Sequence, residues 1–337
     1  MSKRFLAAAC AAATALALSA CSSAPSSEGN ASKDGTLTVM ASFYPLQYLA
    51  EKIGGEHVTV TSLTPAGAEP HDLELSPKTV DALASADAVV YLAGFQAAVD
   101  EAIEQQAPTT VIDVSPAVEL VEANSSANHP SEDEDAGEAQ SGESATEEHA
   151  DHDHEGHDHE GHHHDMSADP HFWLDPVRMA SAATLVGDKL AEADPANADT
   201  YKANAQALNE ELSVLGDDLV AKTATCQIKT FVTAHTAFGY LADRTGLTQV
   251  GISGLDPDSS PSPARLAEIG QIAKEQGVTT IFTEALIDPK VAQTLADDLG
   301  ISTAVLDPIE SQTDSSKDYA AVMKDNINAL ATANNCQ

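Results

Sequence analysis

Three histidines stand where predicted strands end or helices begin. His71 lies in a turn-rich loop after the second predicted strand, His171 precedes a long helical stretch, and His235 ends a strand in the second half of the chain. In open α/β sheets, ligands bind at the carboxyl ends of strands. Each histidine alone is as consistent with a capping or surface role as with metal binding, but three in matching positions favour one shared site. Because imidazole suits zinc, copper and nickel, they predict a metal site.

An acidic segment, residues 122–167, carries most of the other histidines. It has almost no large apolar residues and neither lysine nor arginine, so it is predicted to be a disordered loop. The loop ends in the repeat DHEGHDHEGHHHD, which predicts weak binding of several metal ions. The expected auxiliary ligands are His149, His152, His154, His157, His159, His162, His163 and His164. Two roles stay open for this loop, a collector that passes metal on and a sensor of abundant metal.

The N-terminus has the pattern of an exported lipoprotein. Lys3 and Arg4 precede a short apolar run, and Leu-Ser-Ala before Cys21 is typical of a bacterial lipobox. We expect a signal peptide over 1–20, a lipid on Cys21 and a flexible tether over 21–35, whose residues are small and polar. The alternative is a plain secretory signal cleaved nearby. Either way the protein is predicted to be extracytoplasmic, and the lipid would anchor it to the cell membrane.

The remaining cysteines of the mature chain, Cys226 and Cys336, form one pair. In an oxidising compartment such a pair is expected to form a disulfide bond. Two buried thiols are the main alternative. Zinc ligation is the weakest interpretation, because no CxxC spacing supports it.

The formal net charge of the whole chain is −37. A nucleic-acid-binding protein needs basic residues that neutralise phosphates, so this charge argues against such a partner. It is compatible with the attraction of cations.

Both halves of the chain alternate short β-branched runs with amphipathic runs of helical length. Alternation of this kind predicts parallel sheets covered by helices. We therefore predict an α/β fold of two lobes, residues 36–195 and 223–337, joined by a long rigid helix over 196–222. Small lobe movements on ligand binding are expected from this arrangement.

Four motifs resemble those of one family of transport proteins. They are EPHDLELSP (69–77), HFWLDP (171–176), AHTAFGY (234–240) and LDP (306–308). The chain is similar in these motifs to the zinc- and manganese-binding substrate-binding proteins of ABC importers, the cluster A-I family, and especially to their zinc-specific lipoproteins. An acidic, histidine-rich insertion before the second ligand is also typical of the zinc branch.

The resemblance implies a metal site in the cleft between the lobes. Its ligands would be His71 and His171 from the first lobe and His235 and Asp307 from the second. His235 matches a position that is a glutamate in manganese-binding relatives. Some zinc-specific relatives have a glutamate directly before the first histidine, but here Pro70 stands there, which strengthens the expectation for Asp307. Three imidazoles and one carboxylate suit tetrahedral Zn²⁺, whereas manganese prefers more oxygen ligands.

The function implied is capture of Zn²⁺, as the transported ligand, and its delivery to an ABC permease with its ATPase. The protein is expected to be monomeric and not an enzyme. Three alternatives stay open: a protein of the same family that binds manganese or another divalent metal, a surface adhesin or zinc store, and a metalloenzyme. The last is disfavoured because the sequence has no compact HExxH motif.

Overall fold

The computed structural model describes residues 35–122 and 168–337. Two sets of expectations lie outside these residues. One is the signal peptide, the lipidated Cys21 and nearly all of the tether, and the other is the acidic loop with its eight auxiliary histidines. Within the described part of the chain, no helix combines the length and the apolar character that a membrane span requires.

The first lobe is built on a parallel sheet with the strand order β2-β1-β3-β4. Its strands are β1 Leu37–Ala41, β2 Val58–Ser62, β3 Ala88–Tyr91 and β4 Val111–Asp113. Its helices are α1 Tyr44–Gly54, α2 Pro77–Leu83, α3 Ala97–Gln106 and α4 Ser115–Val118. Val89 and Val90 point to opposite faces of β3, and both are fully buried in separate apolar clusters. Both faces of the sheet are therefore covered, as expected of a parallel sheet.

The second lobe repeats this order with the strands β6-β5-β7-β8, all parallel. Its strands are β5 Thr230–Thr233, β6 Thr248–Gly251, β7 Thr280–Thr283 and β8 Ser302–Val305. Its helices are α7 Gly239–Thr245, α8 Pro263–Glu275, α9 Lys290–Leu299 and α10 Tyr319–Ala333. The predicted fold of two parallel-sheet α/β lobes is confirmed.

Two long helices lie between the sheets, α5 Pro176–Ala193 and α6 Ala198–Thr223. Asp175 caps α5 by accepting a hydrogen bond from the backbone N–H of Val177 at 2.9 Å. With 26 residues, α6 is about 39 Å long at 1.5 Å per residue. This is the long helix predicted over 196–222, displaced by one or two residues at its ends.

Helices α5 and α6 approach each other most closely at Gly187. A Cβ atom on Gly187 would lie 2.4 Å from the Cβ atom of Ala205 and 3.4 Å from the carbonyl oxygen of Tyr201. Since a carbon–carbon contact of 2.4 Å is far inside van der Waals distance, only glycine fits here without moving the helices apart.

The two lobes share an apolar core. The largest cluster of buried side chains contains Phe43 and Trp173 from the first lobe and Phe238 and Tyr319 from the second. The hydroxyl of Tyr319 also donates a hydrogen bond to the carbonyl oxygen of Trp173. A large apolar interface favours small lobe movements over wide opening.

Cys226 and Cys336 form a disulfide bond. Cys226 follows α6 and Cys336 follows α10, so the bond ties the end of the linking helix to the end of the last helix. The expectation from the sequence is confirmed.

Candidate metal centre

His71 is held in the loop between β2 and α2. Its backbone N–H donates to Glu69 Oε2 at 2.9 Å, and its ring packs edge-on against Phe95 with 4.9 Å between ring centroids. The carbonyl oxygen of the preceding Pro70 accepts a hydrogen bond from Gln96 Nε2 at 3.0 Å. These contacts fix both sides of the histidine, and its side chain is only 5% exposed.

His171 is positioned by the short 3-10 helix Phe172–Leu174 and by Asp169. Asp169 Oδ1 accepts a hydrogen bond from the backbone N–H of His171 at 3.0 Å and lies 2.8 Å from its ring Nδ1. The residue is fully buried. The aspartate therefore sets both the backbone and the ring orientation of this histidine.

His235 follows β5 and is paired with Glu284, which follows β7. The backbone N–H of His235 donates to Glu284 Oε1 at 3.0 Å, and its ring Nδ1 lies 2.7 Å from Glu284 Oε2. Both residues are buried. This is the same arrangement as that of Asp169 and His171, built from a different sheet.

The fourth member of the group is Glu310, not Asp307. Glu310 Oε1 lies 3.2 Å from His171 Nε2, 3.4 Å from His235 Nε2 and 3.5 Å from His71 Nε2. The carboxylate of Asp307 instead accepts a hydrogen bond from the backbone N–H of Ile309 at 2.8 Å, and Asp307 is not part of the group. The structure thus brings three of the four expected ligands together and places Glu310, rather than Asp307, beside them.

Four of the six distances among the ligand atoms match the edges of a tetrahedron around zinc. A tetrahedral edge is about 1.63 times the bond length, so zinc bonds of about 2.0–2.1 Å give edges of about 3.3–3.4 Å. The three distances to Glu310 fall near this value, and the Nε2 atoms of His171 and His235 are 3.4 Å apart. His71 Nε2 and Glu310 Oε1 are also buried without a hydrogen-bond partner. Both facts fit a cation at the centre of the group.

The outer carboxylates determine which ring nitrogen is available. When Nδ1–H of His171 or His235 donates to its carboxylate, the lone pair of a neutral ring lies on Nε2, which faces the group. Two facing lone pairs at 3.4 Å cannot hydrogen-bond to each other, but both can bind one metal ion. The donor set is therefore arranged for coordination.

The pKa values show that protons compete for the same atoms. Burial lowers the pKa of His235, but Glu284 and Glu310 outweigh burial and raise it to about 10. For Glu310, burial favours the neutral acid, but the contacts with His171 and His235 hold the pKa of this carboxyl well below its usual range. A metal ion that binds here displaces protons from the imidazoles, because histidine ligates in its unprotonated form.

Sequence reasoning missed Glu310, Asp169 and the role of Glu284. A signal was available for two of them, because Glu284 directly follows a predicted strand and Glu310 lies a few residues beyond another. Carboxylates at the carboxyl ends of parallel strands are candidates for the same site as histidines there. Asp169, two residues before a histidine, carries no comparable signal.

Comparison with known proteins agrees with this site. The chain is 33% identical over 312 residues to the zinc-binding protein AdcA of Streptococcus pyogenes serotype M6, an alignment covering 88% of this chain and 56% of that protein. It is 33% identical over 323 residues to the high-affinity zinc uptake system protein ZnuA of Bacillus subtilis, covering 94% and 93% of the two chains. The chain therefore spans little more than half the length of its AdcA relatives.

A similar solved structure is that of the laminin-binding protein Lmb of Streptococcus agalactiae, described as a bifunctional protein with adhesin and metal transporting activity. Its TM-score is 0.72 at 29% identity, over 88% of this chain and 99% of that one. A family model described as "ZnuA: Zinc-uptake complex component A periplasmic" matches residues 39–333. Since this match spans most of the sequence, the chain belongs to the ZnuA family.

Proposed function

We propose that this protein captures Zn²⁺ outside the cytoplasm and delivers it to the permease of an ABC importer driven by an ATPase. The observation that carries the proposal is the convergence of three imidazole nitrogens and one carboxylate oxygen, all within 4.8 Å of one another, with two of the imidazoles oriented by buried carboxylates. The ligands proposed are His71, His171, His235 and Glu310. The names of the relatives, which refer to zinc binding and zinc uptake, support the choice of metal.

The ligand set favours a carrier over an enzyme. Catalytic zinc sites keep one position open for water or substrate, with three protein ligands. Here four protein atoms converge within 4.8 Å of one another, and three of the four residues are buried. Such a site holds a metal ion as cargo rather than exposing it to a substrate.

The expectations for the undescribed residues complete this proposal. The lipid on Cys21 would keep a monomeric protein at the outer face of the cell membrane, near its permease. We expect the histidines of the acidic loop to add weaker zinc sites, because a segment that is predicted from its sequence to be disordered must be ordered around each ion. Their tethering would keep zinc concentrated near the tight site.

Replacement of each of two neighbouring carboxylates by its amide tests the assignment of the fourth ligand. Glu310→Gln is expected to weaken zinc binding by about tenfold or more. Mutation of a residue that orients a metal ligand lowers metal affinity by a comparable factor in other sites. Asp307→Asn should change the affinity little, because its amide oxygen still accepts the hydrogen bond from Ile309. Competition with a zinc chelator on the metal-stripped full chain measures both. A larger loss for Asp307→Asn would restore Asp307 as the ligand.

The Glu310→Gln substitution also tests transport in cells. In a strain that lacks the gene for this protein, the parent gene should restore growth under zinc limitation, and the Glu310→Gln gene should restore it less well. Growth that is indifferent to the deletion at all zinc concentrations would count against an importer.

Deletion of residues 131–165 is expected to lower the number of zinc ions bound while leaving the tightest binding nearly unchanged. The physical reason is that the deleted histidines lie in the acidic segment, whereas the proposed ligands lie at the strand ends. Titration calorimetry of the deletion beside the parent measures both quantities. Loss of the tightest site on deletion would mean that the loop histidines form the principal site.

A further inference from the structure

The turn that carries Glu310 contains a residue in an unfavourable backbone conformation. Ile309 has φ of 57°, in the left-handed region where a β-branched residue is an outlier. Its side chain is 1% exposed and belongs to the main core. Backbone strain of this kind persists only where the surroundings hold the residue in place. The contacts around Ile309 therefore show what holds Glu310 in the site.

One set of contacts comes from the second lobe itself. The side chain of Asn326, on α10, makes two hydrogen bonds with the backbone of Asp307. Its Nδ2 donates to the carbonyl oxygen of Asp307 at 2.6 Å, and its Oδ1 accepts from the N–H of Asp307 at 2.9 Å. Asp307 in turn accepts a hydrogen bond from the N–H of Ile309. These bonds fix the start of the turn to α10, and they do not depend on the position of the first lobe.

A second set of contacts comes from the first lobe. Trp173 Nε1 donates to the carbonyl oxygen of Pro308 at 2.7 Å, and the N–H of Gly67 donates to Ser311 Oγ at 2.7 Å. These two bonds lie on either side of Glu310. Trp173 belongs to the segment of His171 and Gly67 to the loop of His71, so each comes from a segment that carries another proposed ligand.

We infer that Trp173 and Gly67 are positioning residues, which hold Glu310 towards the metal only while the two lobes are together. A small movement of the lobes apart is enough to break both bonds, and the turn then withdraws Glu310 as Ile309 returns to an ordinary conformation. The metal then loses its one anionic ligand and is held by imidazoles alone. The inference rests on the proposed function, with Glu310 as a ligand, and it gives the lobe movement a direct means of releasing zinc.

The first test compares Trp173→Phe in the parent and in a Glu310→Gln background. Phenylalanine keeps an aromatic ring but removes the bond to Pro308, so zinc should dissociate about three- to tenfold faster in the parent background, as for one lost hydrogen bond. In the Glu310→Gln background the same change should have no further effect. Stopped-flow transfer of zinc to a fluorescent chelator measures the rates.

Two results would overturn the inference. Equal acceleration in both backgrounds would mean that Trp173 acts through His171 or through general stability, and no acceleration in the parent background would mean that it does not position Glu310. The visible absorption of the Co²⁺-loaded protein is an independent readout, because it depends on the ligand set. The spectrum of Trp173→Phe should shift towards that of Glu310→Gln.

The second test compares Ile309→Ala with Ile309→Gly. Both remove the buried side chain, and they differ in the Cβ atom that disfavours the left-handed conformation. The glycine variant should release zinc about fivefold more slowly than the alanine variant, a difference of about 1 kcal/mol. Equal release from the two variants would contradict the role of strain.

The outcomes separate this inference from the proposed function. If the parent protein binds no zinc tightly, the proposed function fails. If the parent binds zinc tightly and Glu310→Gln weakens it, but neither Trp173→Phe nor the Ile309 pair behaves as stated, only the inference about the turn fails.

Discussion

Replacement of His235 by alanine is expected to weaken zinc binding by the full chain more than about 100-fold. Loss of a residue that merely orients a ligand costs about 10–100-fold in comparable sites, and His235→Ala removes a ligand itself. It also leaves the buried Glu284 without the ring that it contacts at 2.7 Å. Chelator competition on metal-stripped protein measures the affinity of the tightest site.

His57→Ala is the matched control for this prediction. His57 lies at the end of a short 3-10 helix before β2, where its ring is 6.1 Å from the ring of Tyr201, and it does not belong to the proposed site. Its removal should leave zinc affinity unchanged. If His235→Ala bound zinc like the parent, the principal site would have to be elsewhere, and the acidic loop would be the next place to look.

Loss of the Cys226–Cys336 bond should lower the free energy of unfolding by about 4–5 kcal/mol, because a bond that closes a loop of about 110 residues restricts the unfolded chain. Zinc affinity should change little, since neither cysteine belongs to the metal group. Urea unfolding of the oxidised protein and of a variant with serine at both positions measures the difference. A reductant should destabilise the parent and leave the double variant unaffected. Alkylation of both Cys226 and Cys336 in the oxidised parent, located by peptide mapping, would refute the bond.

The three histidines could be predicted from the sequence because local signals were sufficient. The alternation of β-branched and amphipathic runs located the strands, and the site of a parallel sheet lies at the carboxyl ends of its strands. His235 lies two residues after the end of β5. His71 and His171 lie in turn-rich segments before helices that begin with proline. No tertiary contact had to be known for these predictions.

The pairing of His235 with Glu284 could not be predicted, because it depends on the order of the strands. Strand β5 pairs with β7, so that Val232 lies opposite Ile281 and Thr233 opposite Phe282. The same register continued beyond the strand ends places Glu284 beside His235. Sequence patterns locate the two strands but do not show that they are neighbours in the sheet.

Asp307 was the expected ligand, whereas the structure places Glu310 beside the three histidines, and this difference has another physical cause. Both carboxylates follow β8, and they differ in the direction that the turn gives them. That direction depends on the left-handed conformation of Ile309, which a β-branched residue adopts only under tertiary constraint. Nothing local to the LDPIE sequence predicts this conformation of Ile309, so the motif favoured Asp307, the carboxylate that is closer to β8 in the sequence.

The close approach of α5 and α6 at Gly187 limits how homologous sequences can diverge. A mutation to alanine at this position would place two methyl groups about 2.4 Å apart, so the helices would have to separate and the lobes that they join would shift. Chains that carry a larger residue in place of Gly187 should therefore have glycine in place of Ala205. Natural variation at these two positions should be coupled, although both lie outside the metal group. A survey of family members would show whether substitutions at Gly187 and Ala205 are restricted as strongly as substitutions of the ligands.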